Sequence, residues 1–208
     1  MKKYFDKIYC INLDRRNDRW DQTIKELNKW GFSDVERYSA IDGNTIDRTK
    51  YNSTLNNGEL GLVLTNINII NEAKEHGFKR ILILEDDIVF TSEIERISDY
   101  INLLPKDCDM LYFGGNHNTH MNVIPPITIN EKVCKLHNTF TTHCVGINES
   151  MYPVVINTLN SLNSPLDVAY TELQKKYNVY SFYPAIALQR VGYSDIQNGV
   201  RDYNWLIK

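Results

Sequence analysis

The chain has 208 residues, 42% of them apolar and 24% charged, with a formal net charge of −3. That length fits one domain whose core needs no disulfide or structural metal, and the mild acidic excess argues against a nucleic-acid binder, which carries a basic stripe. No apolar run approaches the ~18 residues that cross a bilayer. None follows Lys2-Lys3 either, so neither a leader nor an integral membrane segment is expected.

Lys7 to Asn12 (KIYCIN) is a short apolar run and predicts a buried strand. A charged turn follows, in which Asn17 or Asp18 is placed to cap a helix. Trp20, Ile24, Leu27 and Trp30 recur at helical spacing, and Gly31 ends that helix. Val35 to Ala40 predicts a second strand. Asp42 to Asn57 is polar and reads as a long loop with room for one helical turn, a length uncommon without a function. A second helix begins at Gly58, with Val63, Ile67, Ile70 and Ala73 as its buried stripe and Gly77 as its stop.

Arg80 to Leu84 (RILIL) shows no polar alternation, as in a strand covered on both faces. It ends in Glu85-Asp86-Asp87. A helix is expected over 93–104 and a strand over 109–113, leading to Gly114-Gly115. This alternation is that of a doubly wound α/β layer with helices on both faces. After Gly115 the pattern turns mixed. Segments 122–129 and 138–147 read as β, 149–162 and 166–177 as helix, and 179–183 and 185–189 as strands. With no linker or repeat, 1–208 reads as one domain, its pattern changing between a first half, 1–115, and a second, 116–208. The four cysteines, Cys10, Cys108, Cys134 and Cys144, form no CxxC pair. They read as reduced thiols in a cytoplasmic core, bacterial or that of a virus's host.

Three acids directly after the most apolar strand are the chief chemical signal. Ligands of open α/β sheets bind beyond the carboxyl ends of the strands. Adjacent carboxylates there repel one another, and Mg²⁺ or Mn²⁺ would relieve them through one or two carboxylates plus substrate phosphates. Strand alternation would put Glu85 and Asp87 on one side and Asp86 on the other. The second signal is Arg15, Arg16 and Arg19 in the turn from Asn12, at the start of the first helix. Free N–H groups and the helix dipole favour anions there, and arginine grips phosphate bidentately. His117, His120 and His143 lack the spacing of a zinc site. Asp167, opening a helix after Ser164-Pro165, and Asp195, in Gly192-Tyr193-Ser194-Asp195-Ile196, are polar islands in apolar surroundings.

In order along the chain, these stretches resemble glycosyltransferase family 25, the lipooligosaccharide and procollagen galactosyltransferase group. The stretches are 9–16 with Arg19; Ala40-Ile41-Asp42-Gly43; Gly58-Glu59-Leu60-Gly61 through Leu84-Glu85-Asp86-Asp87; and Pro165-Leu166-Asp167 with Pro184, Gln189 and Ser194-Asp195-Ile196. The resemblance implies a GT-A-like, Rossmann-type fold with a mixed, mostly parallel sheet. It also implies a UDP-sugar donor, Mn²⁺ or Mg²⁺, and inverting transfer of a hexose to a hydroxyl of a glycan or glycosylated acceptor. Glu85-Asp86-Asp87 would serve as the DxD-like motif, with Asp87 and Glu85 on the metal. Asn12, Leu13, Arg15, Arg16, Arg19, Asp42 and Asp86 would frame the nucleotide. Asp167 is the first candidate for the general base and Asp195 the second. The family's "GCxxSH" reads Gly61-Leu62-Val63-Leu64-Thr65-Asn66 here, so Asn66 would meet the donor without a histidine's charge. Two other readings stay open: a sugar-nucleotide binder without transfer, and a Mg²⁺-dependent phosphotransfer or phosphatase domain using Asp86 or Asp87.

Overall fold

The computed structural model describes residues 1, 3–117, 124–197 and 199–202. His120 and the start of the 122–129 segment lie outside the described residues. In chain order the strands are β1 (Lys7–Asn12), β2 (Val35–Ser39), β3 (Arg80–Glu85), β4 (Ile88–Phe90), β5 (Met110–Tyr112), β6 (Ile127–Thr128), β7 (Val133–Lys135), β8 (Cys144–Asn148), β9 (Val179–Phe182), β10 (Ala187–Gln189), β11 (Gly192–Ser194) and β12 (Gly199–Arg201). The helices are α1 (Asn17–Lys29), α2 (Asn57–Glu75), α3 (Ile97–Asn102), α4 (Tyr152–Leu159) and α5 (Leu166–Gln174).

Eight strands form one mixed sheet in the order β2-β1-β3-β8-β5-β9-β7-β6. Following the pairings across it, β8 and β7 run against the other six. β8 comes from the C-terminal half yet lies between β3 and β5, so the two halves share one sheet. Alternation along the central strands splits the core in two. Tyr9, Ile11, Ile81 and Ile83 face α2, α4 and α5, while Ile8, Cys10, Leu82 and Leu84 face α1, α3 and β4. Helices thus cover both faces, and all four cysteines are buried and free.

Most of the expected elements are present with local differences, and of the β segment expected over 138–147 only the end forms a strand, β8. α1 opens after Arg16, and no side chain caps it; Asp18 is instead held by the Arg16 guanidinium. α2 carries a full capping box, Asn56 with Glu59, which fixes its start one residue earlier than the Gly58 signal. Its buried residues include Val63, Ile67, Ile70 and Ala73. The single helix expected over 93–104 divides into a 3₁₀ stretch, Ser92–Arg96, and α3. The polar loop 42–57 holds two 3₁₀ turns, Gly43–Thr45 and Arg48–Lys50, each opened by an Asp side chain that accepts a backbone N–H. β10 leaves the main sheet and pairs with β4, which lies just past the acidic turn.

Candidate functional site

A cleft of about 940 Å³ opens beyond the carboxyl ends of β1 and β3. Register explains why cationic and acidic turns meet there. Ile11 pairs with Glu85 across the parallel β1–β3 ladder, so the chain leaves both strands at the same level. Asn12, Leu13, Arg15, Arg19 and Asp42 line one wall, Glu85, Asp86 and Asp87 the floor and Asp167 the far side, while Asp195 lies against Arg15.

Two glycines close the third wall. A β-carbon on Gly43 would fall 1.7 Å from the Asn57 carbonyl oxygen, and one on Gly61 would fall 2.5 Å from that of Ile41. Only glycine lets the Asp42 loop lie directly on the first turns of α2. The Ala40–Gly43 and Gly58–Gly61 stretches are therefore one contact read twice in the sequence. That contact brings Asp42 to Arg15, whose Nε donates to Asp42 Oδ2 at 2.7 Å. The ion pair and the Asn44 N–H hold the Asp42 carboxyl below its ordinary range.

The acids do not alternate as a strand would dictate. β3 ends at Glu85, and Asp86-Asp87 form a tight turn into β4. Arg19 consequently reaches both, Nη1 to Asp86 Oδ1 at 3.0 Å and Nη2 to Asp87 Oδ2 at 2.8 Å. Asp86 also accepts from Asn12 Nδ2 at 2.6 Å. Asn12 is in turn fixed by Arg37, whose Nε and Nη2 donate to Asn12 Oδ1 at 2.9 and 2.7 Å. Thr23 Oγ1 donates to the Asp86 carbonyl at 2.6 Å. Arg37 and Thr23 belong to no motif, and pairing across β1–β2 brings Arg37 in. No one-dimensional signal would have found them.

Glu85 is half-buried at the base of the cleft and accepts from Thr142 Oγ1 at 2.9 Å. Burial first, then the nearby Asp87 charge, pushes its carboxyl up to about 8. Asp87 Oδ1 is buried and lacks a hydrogen-bond partner. An acceptor with no donor and a carboxyl kept from ionising are both conditions that a hard cation relieves. Among the described residues no three His, Cys, Asp or Glu side chains gather into a complete cage. Glu85 and Asp87 alone offer two carboxylates, a donor set a hard cation takes only when other oxygens complete its shell.

The segment 140–143 ties the acids to the C-terminal half of the chain. Thr141, a cleft residue, has φ of 67°. A β-branched residue in that region is strained by ~1–2 kcal/mol. Its hydroxyl is buried and unpartnered. Thr142 holds Glu85, and the His143 carbonyl accepts the Glu85 N–H at 3.0 Å. His143 Nε2 lies 3.0 Å from the Ala187 carbonyl oxygen, which can only accept, so the ring proton sits on Nε2. Burial lowers the His143 pKa and keeps the ring neutral. Replacing Thr141 by glycine is expected to raise the stability of the chain by ~1 kcal/mol. An unchanged or lower melting temperature in that variant would show that the conformation carries no strain.

Asp167 stands in the first turn of α5, and its Oδ1 accepts the Val168 N–H at 2.8 Å. Burial raises its pKa, against the backbone N–H groups of Val168 and Thr141. Asp195 is differently placed. Arg15 Nη1 donates to its Oδ1 at 2.8 Å, and Arg16 Nη1 to its Oδ2. Both oxygens face guanidinium groups, a poor setting for taking an acceptor's proton. Arg16 stands behind this pair and is not a lining residue. Asn66 also lies away from the cleft. It is 2% exposed and donates to the Leu62 carbonyl of its own helix at 2.9 Å.

Residues 5–161 match the model of glycosyltransferase family 25 (LPS biosynthesis protein). The chain is 26% identical over 133 residues to procollagen galactosyltransferase 1 of Danio rerio, covering 54% of this chain and 22% of that protein. It is 29% identical over 171 residues to the procollagen lysyl hydroxylase and glycosyltransferase of Acanthamoeba polyphaga mimivirus, covering 70% of this chain and 18% of that protein. It is 27% identical over 131 residues to the inactive glycosyltransferase 25 family member 3 of Homo sapiens, covering 53% and 22%. These matches span about a fifth of each relative's length. Among solved structures, a glycosyltransferase involved in glycosylation of the major capsid of PBCV-1 aligns with a TM-score of 0.44 and 11% identity, over 85% of this chain and 91% of that one.

Proposed function

The chain belongs to glycosyltransferase family 25, and from that premise we propose that it moves a hexose from a UDP-sugar to a hydroxyl of a glycan or glycosylated acceptor, with inversion, on a GT-A-like scaffold. The observation that carries this reading is the cleft floor. Glu85 is held from ionising at neutral pH, Asp87 keeps a bare oxygen, and arginines stand on the adjoining turn.

Glu85 and Asp87 would hold Mn²⁺ or Mg²⁺, which supplies positive charge to the diphosphate as the sugar bond breaks. Arg15 and Arg19 add fixed positive charge at the same place, so they stabilise the leaving group more as it departs than before. Asn12, itself fixed by Arg37, holds Asp86, so that Arg19 stays aimed at the turn. Asp42 orients Arg15. Asp167, whose pKa burial raises, takes the acceptor's proton as its carboxylate. The wall at Pro165-Leu166 and Phe140 gives the acceptor side its apolar surface.

The direct test is thermal denaturation with UDP and UDP-sugars in Mn²⁺, in Mg²⁺ and in EDTA. A ligand at a hundred times its Kd stabilises by ~2.7 kcal/mol, or about 5–10 °C for a domain of this size. That shift is expected with UDP and Mn²⁺ and is expected to vanish in EDTA and in Asp87→Ala. No shift with any nucleotide in the presence of metal would sink the transferase reading.

Similarity to a relative named as inactive keeps a second reading, donor binding without transfer. Slow release of UDP from UDP-galactose in water would decide for transfer. Donor binding without any such release would decide against it.

A further inference from the structure

β11 and β12 form a two-stranded hairpin of their own, outside the main sheet. The segment just after β11 touches both walls of the cleft. On one side Asp195 reaches the Arg turn, taking hydrogen bonds from Arg15 Nη1 at 2.8 Å and from Arg16 Nη1, with Arg19 Nη1 at 3.9 Å. On the other side Ile196 rests on the first turn of α2. A β-carbon on Gly58 would lie 3.0 Å from the Ile196 Cα.

None of the three arginines needs Asp195 for charge compensation. Arg15 also holds Asp42, Arg16 also holds Asp18, and Arg19 holds Asp86 and Asp87. Asp195 is therefore an extra anion on a cluster whose three guanidiniums already meet four other carboxylates. Its side chain is only 14% exposed and presents two oxygens to two guanidinium groups. Two oxygens of a phosphate meet a pair of arginines in the same way. We propose that Asp195 is a built-in surrogate for the donor's diphosphate, and that diphosphate and carboxylate compete for Arg15 and Arg16. Binding of the one moves residues 194–197 off the cleft. The proposal deepens the transferase reading and rests on it for the identity of the ligand. It also accounts for an acid at this position that is badly placed to act as a base.

Competition makes an unusual prediction, because removing a cleft residue tightens binding. The test titrates inorganic pyrophosphate in EDTA, and separately UDP with Mn²⁺, into the native chain, Asp195→Asn and Gly58→Ala. Asp195→Asn is expected to bind pyrophosphate about tenfold tighter, equivalent to ~1.4 kcal/mol. Gly58→Ala leaves the arginines untouched but crowds the Ile196 backbone, and it is expected to tighten binding in the same direction by less. In the native chain, pyrophosphate should speed amide hydrogen exchange at residues 194–197. Unchanged or weaker pyrophosphate binding by Asp195→Asn, or unaltered exchange in the native chain, overturns the surrogate. Tighter pyrophosphate binding with no binding of UDP keeps the surrogate and rejects the nucleotide reading.

Discussion

Asp167→Asn is expected to lower turnover by ~10²–10⁴, the usual worth of a positioned general base, while UDP binding with Mn²⁺ stays within error of the native chain. The substitution keeps shape and an acceptor oxygen for the Val168 N–H, which the carboxylate now receives at 2.8 Å, so the start of α5 should survive. The pH profile separates a base from a mere helix-opening acid. Burial raises the Asp167 pKa, and a base works only when deprotonated. Turnover of the native chain should therefore rise with pH along a limb displaced above the ordinary carboxylate range of ~3.9. Asp167→Asn should lose that limb along with its rate. If the variant turned over at the native rate, or kept the limb, the proton would be taken elsewhere. A fall in melting temperature without loss of rate would leave Asp167 a helix-opening residue only.

The fold was legible where burial is symmetrical. KIYCIN and RILIL are apolar on both faces because helices cover both, and the sequence pattern carries that information directly. The site was legible where register does the work. Once β1 and β3 are neighbours, their following turns must meet, and the arginines of one face the acids of the other. What failed to show did so for identifiable reasons. Strand alternation past Glu85 sets Asp86 opposite Asp87, but the chain turns there, and Arg19 gathers Asp86 and Asp87 together. The insertion of β8 between β3 and β5 is a long-range pairing with no local signature. β7 is three residues long, too short for periodicity to register. Arg37 sits in a strand reading VERYS, whose alternation says only that one face is wetter. Its role appears with the β1–β2 pairing that sets it beside Asn12. The resemblance aligns Asn66 with a histidine at the donor, but its helix face turns inward, and Asn66 is buried in α2 with Leu60, Val63 and Ile67. The strain at Thr141 is a backbone property that no residue pattern reveals.

Glu85→Gln is expected to make the metal-free chain more stable and the site useless, an opposition that only a functional carboxylate explains. The Glu85 carboxyl is pushed up to about 8 by burial and by Asp87, while in the unfolded chain it titrates near ~4.3. Between those values the folded state holds a proton that the unfolded state has released. Stability from this group is therefore full at low pH and is lost as pH rises through the folded-state value. Glutamine mimics the protonated form at every pH and can still accept from Thr142 Oγ1, now 2.9 Å from the carboxylate. The variant should match the native melting temperature near pH 5 and exceed it at pH 8–9 by several degrees, since ~1 kcal/mol is worth about 2–4 °C in a domain of this size. The stabilisation that UDP and Mn²⁺ give the native chain should disappear, because an amide is a far weaker partner for a hard cation than a carboxylate. Equal melting temperatures at pH 5 and pH 9 would show that Glu85 ionises freely. Retained Mn²⁺-dependent UDP binding would remove Glu85 from the metal site and leave Asp87 to hold the ion with the substrate alone. Both findings together would reduce the acidic turn to a solvated strand end, and the transferase reading would lose the observation that carries it.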